Sequence, residues 1–221
     1  MADKEILIFV EGPSDKVFLE VYLYFLEDFP IKNFKVKDVK GKDNLSKRLL
    51  EIEKYDKTLI IFDANKDYES NKKEILTVVS KRKQTISEEQ IFLFPNNQDD
   101  GDLETLLLEI AKHDEFLKCF ESYLECIKSK EHHEPIKNIR KNMLYAYLEV
   151  FELQKFFQYK WDTNNKKQEK CLIDDKGKIK EKNKEEYEKL KEVIDFNSKS
   201  LILLKDFLGQ FAENKQKTKL F

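Results

Sequence analysis

Short, uninterrupted apolar runs recur through the first half of the chain and predict buried β-strands. Three of them are rich in branched and aromatic residues, at Ile6–Val10, Thr58–Phe62 and Ile91–Phe94. Continuous apolar runs of this length are typical of strands that are covered on both faces of a parallel sheet. A fourth segment, Phe34–Val39, alternates apolar and charged residues, which is the pattern of a half-exposed strand.

Helical periodicity separates these strands. In four segments the apolar residues recur three and four positions apart, so each segment predicts an amphipathic helix. Gly12 and Pro13 end the first strand, and Ser14 is expected to cap the helix that follows. The other three predicted helices cover the segments Leu45–Ile52, Tyr68–Lys83 and Asp102–Ile110.

Strands and helices therefore alternate four times, with short connections. This order predicts an α/β fold, an open, mostly parallel four-stranded sheet with helices on both faces. The first and third strands are the most apolar, so we place them centrally. The second strand carries lysines at alternate positions, so we place it at or near an edge.

The second half of the chain lacks clear strands and predicts an α-helical C-terminal extension. Helical periodicity covers residues from about 114–130, 135–159, 185–194 and 201–211, and one weak strand pattern lies at Cys171–Asp174. The polar, lysine-rich residues 161–184 predict a mobile segment. We therefore expect an α/β domain over residues 1–113 and a helical extension over 114–221 that packs on it.

Composition narrows the class of protein. Of the 221 residues, 38 % are charged, and 41 basic side chains against 43 acidic ones give a net charge of −2. A protein that coats nucleic acid nonspecifically is usually basic, so that class is disfavoured. The three cysteines suit a reducing cytosol, and Cys119 and Cys126, seven positions apart, are expected in the core. No apolar stretch is long enough to span a membrane, so we expect a cytoplasmic protein without a membrane partner.

Acidic residues follow three of the predicted strands. Glu11 comes directly after the first strand, Asp63 after the third, and Asp102 and Glu104 after the loop behind the fourth. The carboxyl ends of parallel strands meet at one edge of a sheet, where ligands usually bind. Massed carboxylates disfavour ionisation unless a cation compensates, and a set of oxygen ligands selects Mg²⁺ or Mn²⁺. This pattern predicts a metal site with phosphodiester chemistry.

An ordinary structural role competes with this interpretation. Acidic residues routinely cap helices and fill loops, and we favour that role for Asp15, Asp99 and Asp100. It does not fit Glu11 or Asp63, because neither is placed as a helix cap and each directly follows a buried apolar strand.

The motifs at these strand ends resemble a known family. Ile8-Phe9-Val10-Glu11-Gly12, followed by Ile60-Ile61-Phe62-Asp63-Ala64-Asn65, resembles the TOPRIM domain of topoisomerases, primases and small nucleases. The segments from Val39 to Leu45, from Pro95 to Leu107 and from Asp195 to Leu208 resemble small uncharacterised bacterial TOPRIM-like proteins, related to the nuclease half of overcoming-lysogenization-defect proteins. The likeness spans most of the chain.

The resemblance implies a Mg²⁺ site built from Glu11, Asp63 and the acids of the fourth-strand loop, Asp102 and Glu104. Glu11 is then a ligand or the general acid/base, and the other acids are ligands. The sequence departs from the family pattern at Asn65, where the family has a second aspartate. The amide oxygen of Asn65 can coordinate Mg²⁺ but brings no negative charge, and Asp67 is the alternative ligand. The loss of one carboxylate weakens the case for a second metal ion.

Four further residues near the same edge are candidates for phosphate binding. Lys42 and Lys66 lie in loops where either could neutralise a phosphate during the reaction, and Lys42 is also a candidate catalytic residue. A solvated surface role fits each lysine equally well. Gly12 is expected to permit a close turn after Glu11, and the first amides of the helix at Ser14 could meet a phosphate.

The leading functional hypothesis is a Mg²⁺-dependent nuclease, or a related phosphodiester-transfer enzyme, acting on nucleic acid. The resemblance implies phage defence or RNA processing. Because the near-neutral charge limits binding of nucleic acid, a homodimer or a separate ATPase is an expected partner. A non-catalytic module that binds metal, nucleic acid or protein through a degenerate TOPRIM site is the alternative. A third hypothesis is hydrolysis or transfer on a small nucleotide.

Overall fold

Four parallel strands form the central sheet of this computed structural model, which describes residues 6–26, 34–80, 86–131, 136–154 and 184–211. The order across the sheet is β2-β1-β3-β4, so the two most apolar long strands are central and the lysine-bearing strand is at an edge, which confirms the sequence prediction. The strands are β1 (Ile6–Val10), β2 (Phe34–Asp38), β3 (Lys57–Asp63) and β4 (Ile91–Phe94).

The register aligns the carboxyl ends of the strands at one edge of the sheet. Val10, the last residue of β1, pairs with Asp38 of β2 and with Ile61 of β3. Asp63, the last residue of β3, pairs with Phe94 at the end of β4. Whatever follows each strand therefore begins at the same edge, and this is where the candidate site lies.

Helices surround the sheet and form the C-terminal half. Eight α-helices lie in the described residues, and the sequence placed most of them to within a few positions. The segment after β2 differs: a four-residue helix is flanked by 3₁₀ turns at Lys42–Asn44 and Leu49–Lys54 instead of one continuous helix. The helices are α1 (Pro13–Phe25), α2 (Leu45–Arg48), α3 (Tyr68–Ser80), α4 (Leu103–Glu109), α5 (Asp114–Lys128), α6 (Ile139–Val150), α7 (Lys184–Val193) and α8 (Ile202–Gly209).

The two faces of the sheet bury two separate apolar clusters. Successive side chains of a strand point to opposite faces, so Ile8 and Val10 of β1 enter one cluster and Leu7 and Phe9 the other. Helices α1, α4, α6, α7 and α8 cover the first face, whereas α2 and α3 cover the second. Because both faces are covered, the strands read as continuous apolar runs rather than alternating ones.

The C-terminal helices complete the first cluster. Leu190 of α7 and Leu204 of α8 are fully buried within it, beside residues of β1 and α1. The stripe at Leu144 and Leu148 of α6 also packs into this cluster, as its helical spacing indicates. Tyr147 of α6 adds a buried hydrogen bond, because its hydroxyl donates to the carbonyl oxygen of Val193 at 2.6 Å.

Helix α5 is more exposed than the sequence predicts. None of its fifteen residues is buried, and both Cys119 and Cys126 are exposed, so their expected core position is wrong. The seven-residue spacing does place them on one side of the helix, but α5 makes its main helix contacts with α6 alone. The lysine-rich residues 161–183 and the weak strand Cys171–Asp174 lie outside the described residues. No helix in the described part of the chain is long and apolar enough to cross a membrane.

The free edge of β4 is closed by hydrogen bonds from its own flanking loops. The backbone N–H of Leu93 donates to the Asn97 side chain at 3.0 Å, and the carbonyl oxygen of Leu93 accepts from the Asn97 N–H at 2.7 Å. On the other side, the N–H of Ile91 donates to the carbonyl oxygen of Glu88. Asn97 has a positive φ of 62°, a conformation that asparagine tolerates better than most residues.

Gly101 fixes the loop that leads from β4 into α4. Its φ is 150°, and a side chain there would bring a Cβ to 2.9 Å from Cδ of Pro95 and to 3.0 Å from Oγ1 of Thr105. The carbonyl oxygen of Gly101 accepts a hydrogen bond from the N–H of Asn65 at 2.6 Å. One glycine thus joins the loop after β4 to the loop after β3.

Replacement of Gly101 by alanine should therefore destabilise the fold. We expect Gly101→Ala to lower the free energy of unfolding by ~1–3 kcal/mol, because its backbone conformation and its space both exclude a Cβ. Gly12→Ala is the matched control: a Cβ there would meet only Oδ2 of Asp15 at an ordinary 3.6 Å. Chemical denaturation of both variants measures the difference, and equal losses would contradict this account of Gly101.

Candidate functional site

Glu11 stands at the end of the central strand β1. Its backbone carbonyl oxygen accepts from the N–H of Gly41 at 2.9 Å, which ties it to the loop after β2. Its side chain is half-buried and interacts with the backbone N–H of Asp63 on the neighbouring strand. Oε2 of Glu11 is fully buried and has no hydrogen-bond partner in the described structure.

Asp63 links the end of β3 to the start of α4. Its Oδ1 accepts a hydrogen bond from the backbone N–H of Leu103, the first residue of α4, at 2.9 Å. A carboxylate here receives one of the helical N–H groups that have no partner within the helix. The structure thus brings Glu11 and Asp63 together on adjacent strands, as the sequence predicts.

Two helices each add an acidic side chain from the first turn. Asp15 of α1 is only 6 % exposed, and its Oδ2 accepts from the N–H of Gly12 at 2.7 Å, which is the hydrogen bond of a helix cap. Glu104 of α4 is half-buried. We call Glu11, Asp15, Asp63 and Glu104 the carboxylate cluster.

Burial raises the pKa values of all four members of the carboxylate cluster, and the charges of other members add to this for Asp15 and Asp63. Burial raises the pKa of Asp15 to about 7, and the charges of Glu104 and Glu11 add to the effect. Burial, followed by the charges of Asp15 and Glu11, holds the pKa of Asp63 well above its usual range. The pKa values of Glu11 and Glu104 are raised chiefly by burial as well. Ionising the whole cluster is therefore unfavourable without a compensating positive charge.

The donor atoms of the cluster suit a hard divalent cation. All are carboxylate oxygens, which Mg²⁺ and Mn²⁺ prefer, and Oε2 of Glu11 is a buried oxygen that still needs a partner. Among the described residues, however, no three His, Cys, Asp or Glu side chains are arranged as a ready group of metal ligands. The side chains would have to adjust their rotamers to share one ion.

Three other predicted ligands are engaged elsewhere. Asp67 is exposed and its Oδ1 caps the start of α3 by accepting from the N–H of Ser70 at 2.9 Å. Asp102 caps α4, because its Oδ1 accepts from the N–H and the hydroxyl of Thr105 at 2.8 Å and 2.6 Å. Asn65 is exposed with a φ of 57°, and its Nδ2 donates to the carbonyl oxygen of Asp63 at 3.3 Å. In this arrangement each of them has a structural role.

Lys42 is held at the rim of the carboxylate cluster by two residues of α3. Its Nζ donates to Oδ1 of Asn71 and to Oε2 of Glu74, both at 2.6 Å. The side-chain amide of Asn71 in turn donates to the carbonyl oxygen of Ala64 at 2.7 Å, so Asn71 connects Lys42 to the loop that begins at Asp63. The charge of Lys42 lowers the pKa of Glu11, which places it within electrostatic reach. Lys66, by contrast, is exposed in the β3–α3 loop.

The start of α1 differs in detail from the prediction. Gly12 has an extended backbone with a φ of −140°, which any residue can adopt, so no close turn requires a glycine there. Gly12 is the N-cap residue of the helix and Pro13 is its first residue. Ser14 is therefore the second helical residue and not the cap. Phosphate binding by Gly12 and Ser14 stays a prediction.

The loop acids behave as the structural interpretation predicts. Asp99 accepts from the side-chain amide of Asn96 at 2.8 Å, and Asp100 accepts from the N–H of Tyr68 at the start of α3, also at 2.8 Å. Both are exposed. They hold the loop after β4 rather than join the carboxylate cluster.

Sequence reasoning gave Asp15 only a capping role and did not consider Asn71 as part of the site. The cap is present, but Asp15 is also buried and lies within electrostatic reach of Glu104 on α4, which no local pattern reveals. The signal for Asn71 is weak as well, because an asparagine early in a helix is common. Its two bonds to the loop are visible only once α3 is placed over the sheet.

The raised pKa of Asp15 predicts a pH-dependent stability in the metal-free protein. The folded form keeps the proton to about pH 7, whereas the unfolded chain releases it near pH 4, so stability falls as pH rises across this window. Asp15→Asn keeps an acceptor oxygen for Gly12 but removes the charge. We expect it to stabilise the protein at pH 8 by up to ~4 kcal/mol relative to wild type, with little gain at pH 4.

Thermal and denaturant unfolding in the presence of a chelator, from pH 4 to about pH 8, measures this effect. Glu53→Gln, at an exposed position in the turn Leu49–Lys54, is the matched control and should leave the profile unchanged. An Asp15→Asn profile parallel to that of wild type would show that Asp15 ionises normally in the folded protein.

Comparison with known proteins gives one family. No curated protein and no solved structure matches the chain. The family model described as a protein of unknown function, DUF3226, matches residues 5–213, nearly the whole length of the chain. The chain therefore belongs to the DUF3226 family.

Proposed function

We propose that this protein hydrolyses or transfers phosphodiester bonds in nucleic acid with the help of Mg²⁺ or Mn²⁺. The observation that carries the proposal is the carboxylate cluster itself. Two strand ends and two helix starts converge on one sheet edge, and one buried oxygen, Oε2 of Glu11, lacks a partner. Such a group of acids costs stability in a protein that has no use for it, so it is a candidate for function.

Glu11, Asp63 and Glu104 are the residues that would hold the cation. They lie on three different elements, so each reaches the cluster from its own direction. A bound Mg²⁺ would balance their charge and polarise a phosphoryl oxygen of the substrate. Asp67 and Asp102 cap helices, and Asn65 brings no charge, so this set favours one ion over two.

Glu11 is also the candidate general base. Burial raises its pKa, and its buried Oε2 has no hydrogen-bond partner, so it would accept a proton from an attacking water that enters beside the cation. Glu11 directly follows β1, a central strand that is paired on both sides, and its carbonyl oxygen is bonded to Gly41, which restricts its position. Rigid placement of this kind favours a catalytic group over a mobile surface acid.

Lys42 is the candidate for stabilising negative charge on the reacting phosphate. Asn71 orients it, since both amide hydrogens of Asn71 are given to backbone carbonyls of Ala64 and Asp67, which leaves its oxygen facing the lysine. The competing bond to Glu74 is more exposed and can be exchanged for a phosphate oxygen. Lys66, Gly12 and Ser14 remain predicted phosphate contacts.

A second function is favoured by a specific observation. The three residues Asn65, Asp67 and Asp102 have structural hydrogen bonds, and the described residues contain no ready group of metal ligands. These features also fit a non-catalytic module that binds metal, nucleic acid or protein through a degenerate site. A role in phage defence or RNA processing, and pairing with a second copy or an ATPase, remain predictions under either function.

Metal binding by the carboxylate cluster is the first test. We expect Mn²⁺ and Mg²⁺ to bind the wild-type protein in calorimetric titrations and Glu11→Gln to weaken binding at least ~10-fold, because a charged ligand is lost. Glu53→Gln, an equally conservative change at an exposed site, should bind as wild type does. Equal binding by Glu11→Gln and wild type would rule out the assigned site.

Cleavage of nucleic acid is the second test. Single- and double-stranded DNA and RNA, incubated with the protein and Mg²⁺ or Mn²⁺, should yield products that Glu11→Gln does not form. Metal binding with no product from any of these substrates would favour the binding module instead.

Loss of Lys42 should affect turnover more than metal binding. We expect Lys42→Ala to lower kcat by ~10²-fold while the metal affinity changes less than ~3-fold, because the lysine acts on the phosphate and not on the cation. Lys47→Ala, which removes an exposed lysine in α2, is the control. A wild-type kcat for Lys42→Ala would show that Lys42 is an ordinary surface residue.

A further inference from the structure

Cationic side chains lie on both sides of the carboxylate cluster, not only on the side of Lys42. On that first side, Lys42 belongs to the helix layer formed by α2 and α3, because its Nζ bonds to Asn71 and Glu74 of α3. This layer covers the face of the sheet that buries Leu7 and Phe9.

The second side is formed by the start of α6. Arg140 lies with Nη1 3.7 Å from Oδ2 of Asp102, the residue that caps α4. That contact is long, and the other oxygen of Asp102 is already held by Thr105. The Arg140 side chain is 56 % exposed. More than half of the Arg140 side-chain surface is therefore accessible to a ligand.

Lys141 is the next residue on the same exposed turn. It is itself exposed, and its charge lowers the pKa of both Asp15 and Glu104, so it lies within electrostatic reach of the carboxylate cluster. Helix α6 packs against α4 on the face of the sheet opposite to α2 and α3. The two groups of cations therefore belong to opposite helix layers, with the acidic sheet edge between them.

The carboxylate cluster lies apart from two cavities that the described residues form. Two cavities of about 600 and 590 Å³ are present, one between β4 and α8 and one at the opposite end of the sheet near Tyr55 and Ile86. Neither is lined by Glu11, Asp63 or Glu104. Cations on two opposite helix layers, with the sheet edge between them, suit an extended, repeating anion better than a single nucleotide, which fits on one side.

We propose that Arg140 and Lys141 together with Lys42 form a two-sided phosphate rim that holds a polynucleotide backbone across the sheet edge. This inference rests on the proposed function, because the rim would place a phosphodiester over the carboxylate cluster. It assigns part of substrate binding to the C-terminal helical half. It would also allow a chain of net charge −2 to bind nucleic acid, since local cations decide such binding.

Binding without cleavage tests the rim. The full chain is mixed, in a chelator, with fluorescent single-stranded DNA, single-stranded RNA and duplex DNA, each about 30 nucleotides long so that the strand can span both sides. The double variant Arg140→Ala/Lys141→Ala should weaken binding of the preferred strand ~10-fold and reduce the slope of log affinity against log salt by about two. Three strands distinguish DNA from RNA and single from paired chains.

Lys54→Ala/Lys57→Ala is the matched control. It also removes two exposed cations, but at the opposite end of the sheet, because Lys57 begins the strand that Asp63 ends. We expect its affinity and salt dependence to stay within ~2-fold of wild type. Arg140→Glu/Lys141→Glu should weaken binding further than the alanine pair does, and thermal unfolding checks that each variant is folded.

The outcomes separate this inference from the proposed function. Glu11→Gln should bind the strands at least as tightly as wild type, because it removes a negative charge and leaves the rim intact. Unchanged affinity and salt dependence in both Arg140/Lys141 double variants would overturn the rim, as would equally strong competition by a mononucleotide at the same phosphate concentration. Loss of cleavage or of metal binding with the rim effects intact would overturn only the proposed function.

Discussion

Crowding of like charge at one edge of a parallel sheet is the constraint on which the site depends. The parallel register brings the carboxyl ends of β1 and β3, and with them Glu11 and Asp63, to one edge, and the first turns of α1 and α4 add Asp15 and Glu104. Backbone N–H groups at two helix starts partly offset the repulsion, by donating to Asp15 and Asp63. The cluster still carries an excess of negative charge and holds protons strongly. A hard cation that replaced those protons would neutralise this charge.

Much of the fold could be predicted from the sequence because its signals are local. Buried strands between two helix layers must be apolar throughout, so β1, β3 and β4 appear as continuous runs. The positions of Glu11 and Asp63 follow from the same runs, because each residue comes at the carboxyl end of its run and the carboxyl ends of parallel strands lie at the same edge of the sheet. The prediction of one continuous helix after β2 was wrong, because apolar spacing alone does not distinguish an α-helical turn from a 3₁₀ turn.

The remaining site residues depend on contacts between elements distant in sequence. Asp15 comes within reach of the charge of Glu104 only through the arrangement of α1 and α4, and Asn71 acquires its role only when α3 covers the loop after β3. Arg140 comes near the site because α6 packs on α4, about forty residues further along the chain. Cys119 shows the opposite case: spacing placed it on one helix face, but too little of the molecule covers that face.

The bonds between Leu93 and Asn97 limit how copies of this chain can assemble. A sheet grows between molecules when an edge strand offers open N–H and C=O groups to a second strand. At β4 those of Leu93 are already occupied within the chain, and the N–H of Ile91 is given to Glu88. Intermolecular β-pairing along β4 would first have to break these bonds, so this apolar strand is protected against edge-to-edge aggregation.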